Sequence, residues 1–173
     1  MKGKKGQFFI FTALILIAFS TLMLSSNDVT PTPSKNFKDV YDNYVFESNK
    51  AVNNALFEGA DVREEYDRFM RQFINYASQK KLTLEIFAIV ADQDTYHLVN
   101  QMDEPVTIVD FDYTLGRDQD TFFTRNVSEL TIRVPDTVFH ENIYKLTFPD
   151  KETEVKAVLR VSKGQSTEIF VKE

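Results

Sequence analysis

The chain contains no cysteine, so disulfide-stapled small folds, thiol catalysis and thiolate metal sites are all excluded. Stability must come from packing. Histidine is nearly as scarce: His97 and His140 are the only two, and neither belongs to an H-E-x-x-H or other i, i+4 metal pair. Both are expected to be ordinary surface or half-buried residues. The five glycines are too scattered for a phosphate-binding loop, and no G-x-S-x-G elbow, Walker A loop or G-x-G-x-x-G fingerprint occurs. No catalytic, cofactor-binding or metal residue is therefore assigned, and no cofactor is expected.

Positive charge is short in one part of the chain. Lys2, Lys4 and Lys5 precede a long apolar run, and setting them aside leaves 17 Lys+Arg against 26 Asp+Glu, about −9 for everything after Leu24. A domain so acidic lacks the basic surface that phosphate neutralisation needs, which argues against nucleic acid and, by the same reasoning, against anionic lipid headgroups.

The apolar run itself, Phe8 to Leu24, reads FFIFTALILIAFSTLML, and no charge occurs between Lys5 and Asp28. As a helix the uncharged stretch Gly6 to Asn27 would measure roughly 33 Å, enough for a hydrocarbon core of about 30 Å. Lysines lie before it and Asp28 is the first charge after it, so the positive-inside bias places the N-terminus in the cytoplasm and the C-terminal part outside. As an uncleaved anchor the segment holds the protein in the membrane. As a secretory signal, with the small-x-small site Ala18-Phe19-Ser20, it releases a soluble ligand-binding protein or hydrolase beginning near Thr21.

The run Lys4-Lys5-Gly6-Gln7 followed at once by Phe8-Phe9-Ile10 resembles the class III signal peptide of archaeal type IV pilin-like proteins. The resemblance is confined to the N-terminal segment. It implies cleavage by a prepilin peptidase between Gly6 and Gln7, on the cytoplasmic side, leaving the apolar helix attached as an anchor or as a self-assembly element. The fifth residue after that cut is Phe11, where many members of the family carry Glu.

Ser25 to Ser34, SSNDVTPTPS, is a Pro/Ser/Thr tether that cannot propagate a helix. Phe37, Val40, Tyr41, Tyr44, Val45, Ser48, Val52, Ala55 and Leu56 then recur at helical spacing, predicting an amphipathic helix from about Asn36 to Glu58, capped by Ser34 or Asn36 and stopped by Gly59. Asp61 and Glu64 in capping-box spacing open a second helix with Val62, Tyr66, Phe69, Met70, Phe73 and Ala77 on one face. The Gly59-Ala60 joint makes the pair an antiparallel hairpin or a bent continuation. The aromatics Tyr41, Tyr44, Phe69 and Phe73 are expected to pack against a sheet.

From Leu82 the period becomes alternating, and seven strands are expected: 82–91, 96–101, 106–113, 129–134, 142–148, 154–161 and 167–172. The clearest alternation sets Val155, Ala157, Leu159 and Val161 on one face against Glu154, Lys156 and Arg160 on the other. The fold class is thus α+β: an N-terminal transmembrane helix, two amphipathic helices, and an antiparallel sheet or sandwich. The divisions are 1–6 basic cytoplasmic leader, 7–26 anchor helix, 27–35 linker, 36–80 helical pair and 81–173 β-rich extracytoplasmic domain.

Three Asp-x-Asp pairs, Asp92/Asp94, Asp110/Asp112 and Asp118/Asp120, offer oxygen ligands of the kind Ca²⁺ takes, but none sits in a complete EF-hand loop, and Asp is equally a turn residue. Asn126-Val127-Ser128 is a sequon, which makes Asn126 a glycosylation acceptor if the domain is exported. Together these features predict a non-enzymatic, membrane-anchored structural or interaction protein of the cell surface or a secretion apparatus. Its partners are the membrane, through the N-terminal helix, and proteins or further copies of the chain.

Overall fold

A computed structural model of the chain describes residues 35–137, 140–149 and 152–173. The leader, the anchor segment and the Gly6-Gln7 junction lie outside these residues. Among the described residues no helix is long and apolar enough to cross a membrane.

Helix α1, Lys35–Glu58, buries Phe37, Val40, Tyr44, Ser48, Val52 and Ala55, whose three- and four-residue spacing puts them on one face. It stops at Gly59, which adopts the left-handed φ of 67°. The stop is a Schellman arrangement, with Ala60 N–H donating to Ala55 O at 2.9 Å and Gly59 N–H to Leu56 O at 3.3 Å. Asp61 then caps helix α2, Val62–Gln79, accepting hydrogen bonds from the amides of Arg63 and Glu64, the first-turn donors that have no partner within a helix. The helices form an antiparallel hairpin in which Tyr44 meets Phe69 and Phe73.

Among the described residues nine strands follow, all paired antiparallel. The first sheet has β1 (Thr83–Ala91), β2 (Thr95–Asn100), β5 (Gln119–Thr124), β8 (Glu154–Lys163) and β9 (Ser166–Lys172), in the order β5-β2-β1-β8-β9. The second has β3 (Val106–Ile108), β4 (Tyr113–Leu115), β6 (Glu129–Thr137) and β7 (His140–Thr147), in the order β4-β3-β6-β7.

The result is three layers: helices, five-stranded sheet, four-stranded sheet. Ile86, Ala88, Val90, Val155, Ala157, Leu159 and Val161 pack against the helices. Residues of the opposite parity, Phe87, Ile89, Ala91 and Val158, pack with Val106, Ile132, Leu146 and Phe148 of the second sheet and its flanks. The stretch Ile86 to Ala91 of strand β1 therefore reads as an unbroken apolar run because both its faces are covered. Lys35–Glu173 is one compact unit around these two cores.

The α+β class and both helices agree with the sequence, but the strand count rises from seven to nine. The expected strand 106–113 is cut by a 3₁₀ turn at Val109–Phe111 and by Asp112 in left-handed conformation (φ 46°), so its C-terminal part pairs back as β4. Strand β5 lies among Asp-rich turn residues and its side chains are exposed or half-buried. Its pairing with β2 over six residues, rather than its own pattern, makes it a strand. The alternation expected in β8 holds, and its Lys156/Arg160 face lies between the sheets, with Lys156 8 % and Arg160 5 % exposed.

Candidate functional site

A group of ionisable side chains beside a cleft lies where α2 crosses the β2–β5 edge of the first sheet. Strand β2 pairs with β5 in the register His97↔Phe122 and Val99↔Asp120. The His97 ring stacks on Phe122 with centroids 4.5 Å apart and planes 10° from parallel, and Arg63 of α2 covers the Phe122 ring at 5.4 Å. His97 is 2 % exposed, which corrects the expectation of a surface or half-buried residue. Alternation within β2 puts it on the face that α2 roofs over.

His97 Nε2 lies 3.4 Å from Asp120 Oδ2. Burial raises the Asp67 carboxyl of α2 above the usual range, while the nearby His97 and Arg71 pull it back down. Asp67 Oδ1 and His97 Nδ1 are buried and make no hydrogen bond among the described residues. Alongside is a cleft of about 160 Å³ lined by Asp67, Arg71, Gln101, Asp118, Gln119 and Asp120, over a floor of Met70 and Val99. The acidic lining can accept hydrogen bonds from a small cationic group.

The three Asp pairs meet different fates. Asp118 and Asp120 reach this cleft. Asp92 is engaged in a turn, accepting from Gln93 N–H at 2.8 Å and Thr153 Oγ1 at 3.2 Å. Asp110 accepts from the Thr131 amide across the second sheet. Among the described residues no group of three or more His, Asp or Glu is placed to hold a metal ion. Asn126 is exposed in the loop between β5 and β6, as a glycosylation acceptor requires. The backbone of His140 lies at the start of β7, away from His97 on β2.

Further polar groups are buried between the layers and within the helical hairpin. Arg160 bridges Glu85 at 3.0 Å and Glu104 at 2.6 Å, and donates to the carbonyl of Pro135. Lys172 of β9 reaches α1, donating to Ser48 Oγ at 3.0 Å and Asn49 Oδ1 at 2.7 Å, and burial lowers its ammonium to about 8. Tyr44 and Tyr66 share a hydroxyl–hydroxyl hydrogen bond at the centre of the hairpin, with burial raising both phenols. Arg160 and Lys172 tie the second sheet and helix α1 to the first sheet, and the tyrosine pair ties the two helices to each other. In the sequence Tyr44, Ser48 and Tyr66 stand within helical apolar faces and Arg160 on the β8 face opposite the apolar one, while Lys172 gives no signal.

Family models give no match to the chain, and comparisons with curated proteins and with solved structures give none either.

Proposed function

We propose that the chain is a membrane-anchored, non-catalytic structural or interaction protein of the cell surface, processed like an archaeal type IV pilin-like protein. The observation that carries this reading is the N-terminal sequence. Lys4-Lys5-Gly6-Gln7 leads straight into Phe8 to Leu24, with no charge before Asp28, a pattern that both targets and retains a domain. A tether of ten residues, Ser25 to Ser34, then leads to a compact unit beginning at Lys35. A short tether of this kind suits display at a membrane surface.

The experiment is fractionation of the native host followed by protease treatment of intact cells. The protein should stay with carbonate-washed membranes, and its C-terminal unit should be digested from outside. A protein found in the medium would point to the second reading, a soluble exported ligand-binding protein or hydrolase, whose support is the cleft beside Asp67, Asp118 and Asp120.

A further inference from the structure

The edge strands of the two sheets are β5, β9, β4 and β7, and they are protected unequally. Strand β4 is only three residues long. Strand β9 has α1 beside it, where Tyr41 donates to the Val171 carbonyl at 2.7 Å and Lys172 reaches Ser48 and Asn49. Strand β5 has Arg63 of α2 over its Phe122 ring. Strand β7, His140–Thr147, is the longest of the four and contains no proline. Among the described residues it pairs with β6 only. An edge of that length turns a row of backbone donors and acceptors outward, which is a template for a further strand.

What that strand would meet is set by the face of β7 turned from the core. Glu141, Ile143, Lys145 and Thr147 are exposed there, with Ile143 61 % exposed, while Leu146 of the opposite parity is buried between the sheets. Arg133 of β6 pairs with Glu141 at 3.2 Å, and Glu129 of β6 with Lys145 at 3.2 Å. The described charges of this face therefore cancel, although the unit as a whole is acidic. Glu141 and Lys145 stand two residues either side of Ile143 with opposite signs, so the strand is complementary to itself. When two copies of β7 run antiparallel with Ile143 opposite Ile143, Glu141 of each copy faces Lys145 of the other. The row across the joined sheets then reads Arg133, Glu141, Lys145, Glu129, alternating in sign. Neighbouring registers lose this match. A slide of one residue sets the charged face of one copy against the core face of the other. A slide of two sets Ile143 against Glu141 or Lys145, and a slide of four sets Glu141 against Glu141 or Lys145 against Lys145.

We propose that β7 is a self-association edge: two copies of the chain pair antiparallel through it, centred on Ile143, and join their four-stranded sheets edge to edge about a two-fold axis. The occupant is a second copy because the edge carries its own complement. A two-fold contact is made twice, so both Glu141–Lys145 pairs form together and the two Ile143 side chains cover each other. A contact of one strand per partner is small, so the pair is weak in dilute solution and strengthens where copies are held at high local concentration. The pairing goes beyond the reading above and does not rest on it, since β7 belongs to the folded unit whether that unit is anchored or released.

The absence of cysteine makes every introduced thiol unique. The full chain carrying Ile143→Cys is oxidised in detergent micelles with copper phenanthroline, and disulfide-linked dimer is measured on a non-reducing gel. Directly opposite residues of an antiparallel pair have Cα atoms about 4.5–5.5 Å apart, within disulfide reach, so I143C should link. E141C alone and K145C alone should not, because in this register the like positions lie about 13 Å apart along the strands. An equimolar mixture of E141C and K145C should link. In the I143C background, E141K or K145E alone sets like charges opposite each other and should slow linkage about tenfold. Mixing E141K/I143C with K145E/I143C should restore it, since each Lys then faces a Glu. All three positions are exposed, so the variants keep the fold, which circular dichroism checks. Equal linkage at 141, 143 and 145 would mean that copies meet by collision or through another segment, and would overturn the proposal. Absence of linkage in I143C, or linkage indifferent to the charge exchange, would overturn it too.

Discussion

Lys172 gives the folded unit a pH dependence that can be worked out in advance. It is 5 % exposed, and burial lowers its ammonium from 10.5 to about 8, with Glu154 raising it and Lys156 lowering it further. In the unfolded chain the same group titrates near its ordinary value. Between about pH 8 and 10 the unfolded state therefore binds more protons than the folded one, and stability rises with pH. At 1.36 kcal/mol per pH unit, the interval from about 8 to 10.5 corresponds to about 3 kcal/mol, the cost of holding the charged form inside at neutral pH. The gain stops near pH 10, because Tyr41, Tyr44 and Tyr66 are all raised by burial and the unfolded chain loses their protons first. With no cysteine in the chain, no thiol obscures this window. Chemical unfolding of the detergent-solubilised protein, followed by far-ultraviolet circular dichroism, should show a gain of about 2 kcal/mol from pH 8 to 9.5. K172M should flatten the slope. It should also stabilise the protein at pH 7 by about 1 kcal/mol, the burial cost removed being partly offset by lost hydrogen bonds to Ser48 and Asn49. A flat profile in the unmodified protein, or an unchanged slope in K172M, would refute the reasoning.

Two other interior groups give equally direct tests by the same unfolding assay. Y66F leaves the fully buried Tyr44 hydroxyl without its partner, which should cost about 1–3 kcal/mol; Y44F/Y66F should cost less than the two single changes summed. R160M strips the cation from Glu85, whose side chain is only 12 % exposed, and should cost about 3–5 kcal/mol, with part recovered in R160M/E85Q. A loss below about 1 kcal/mol in R160M would mean that Glu85 reaches water more freely than its burial indicates.

Both helices were legible because their signals are local: three- and four-residue apolar spacing, the Gly59 stop and the Asp61 cap each act within a few residues. Strand β1, which follows α2, and the strands of the β8–β9 hairpin were legible for the same reason. What sequence could not supply depends on pairing across long separations. Strand β5 exists through its ladder with β2, and 106–113 breaks because Asp112 takes a left-handed turn. His97 looks like any polar residue in an alternating run until α2 is laid over its face.

The central claim is that the N-terminal segment is cut like a prepilin leader and then keeps the domain in the membrane. The most direct test is the intact mass of the protein recovered from membrane and medium fractions of its native host. The account predicts a membrane-bound chain whose first residue is Gln7. A released chain beginning near Thr21 would contradict it.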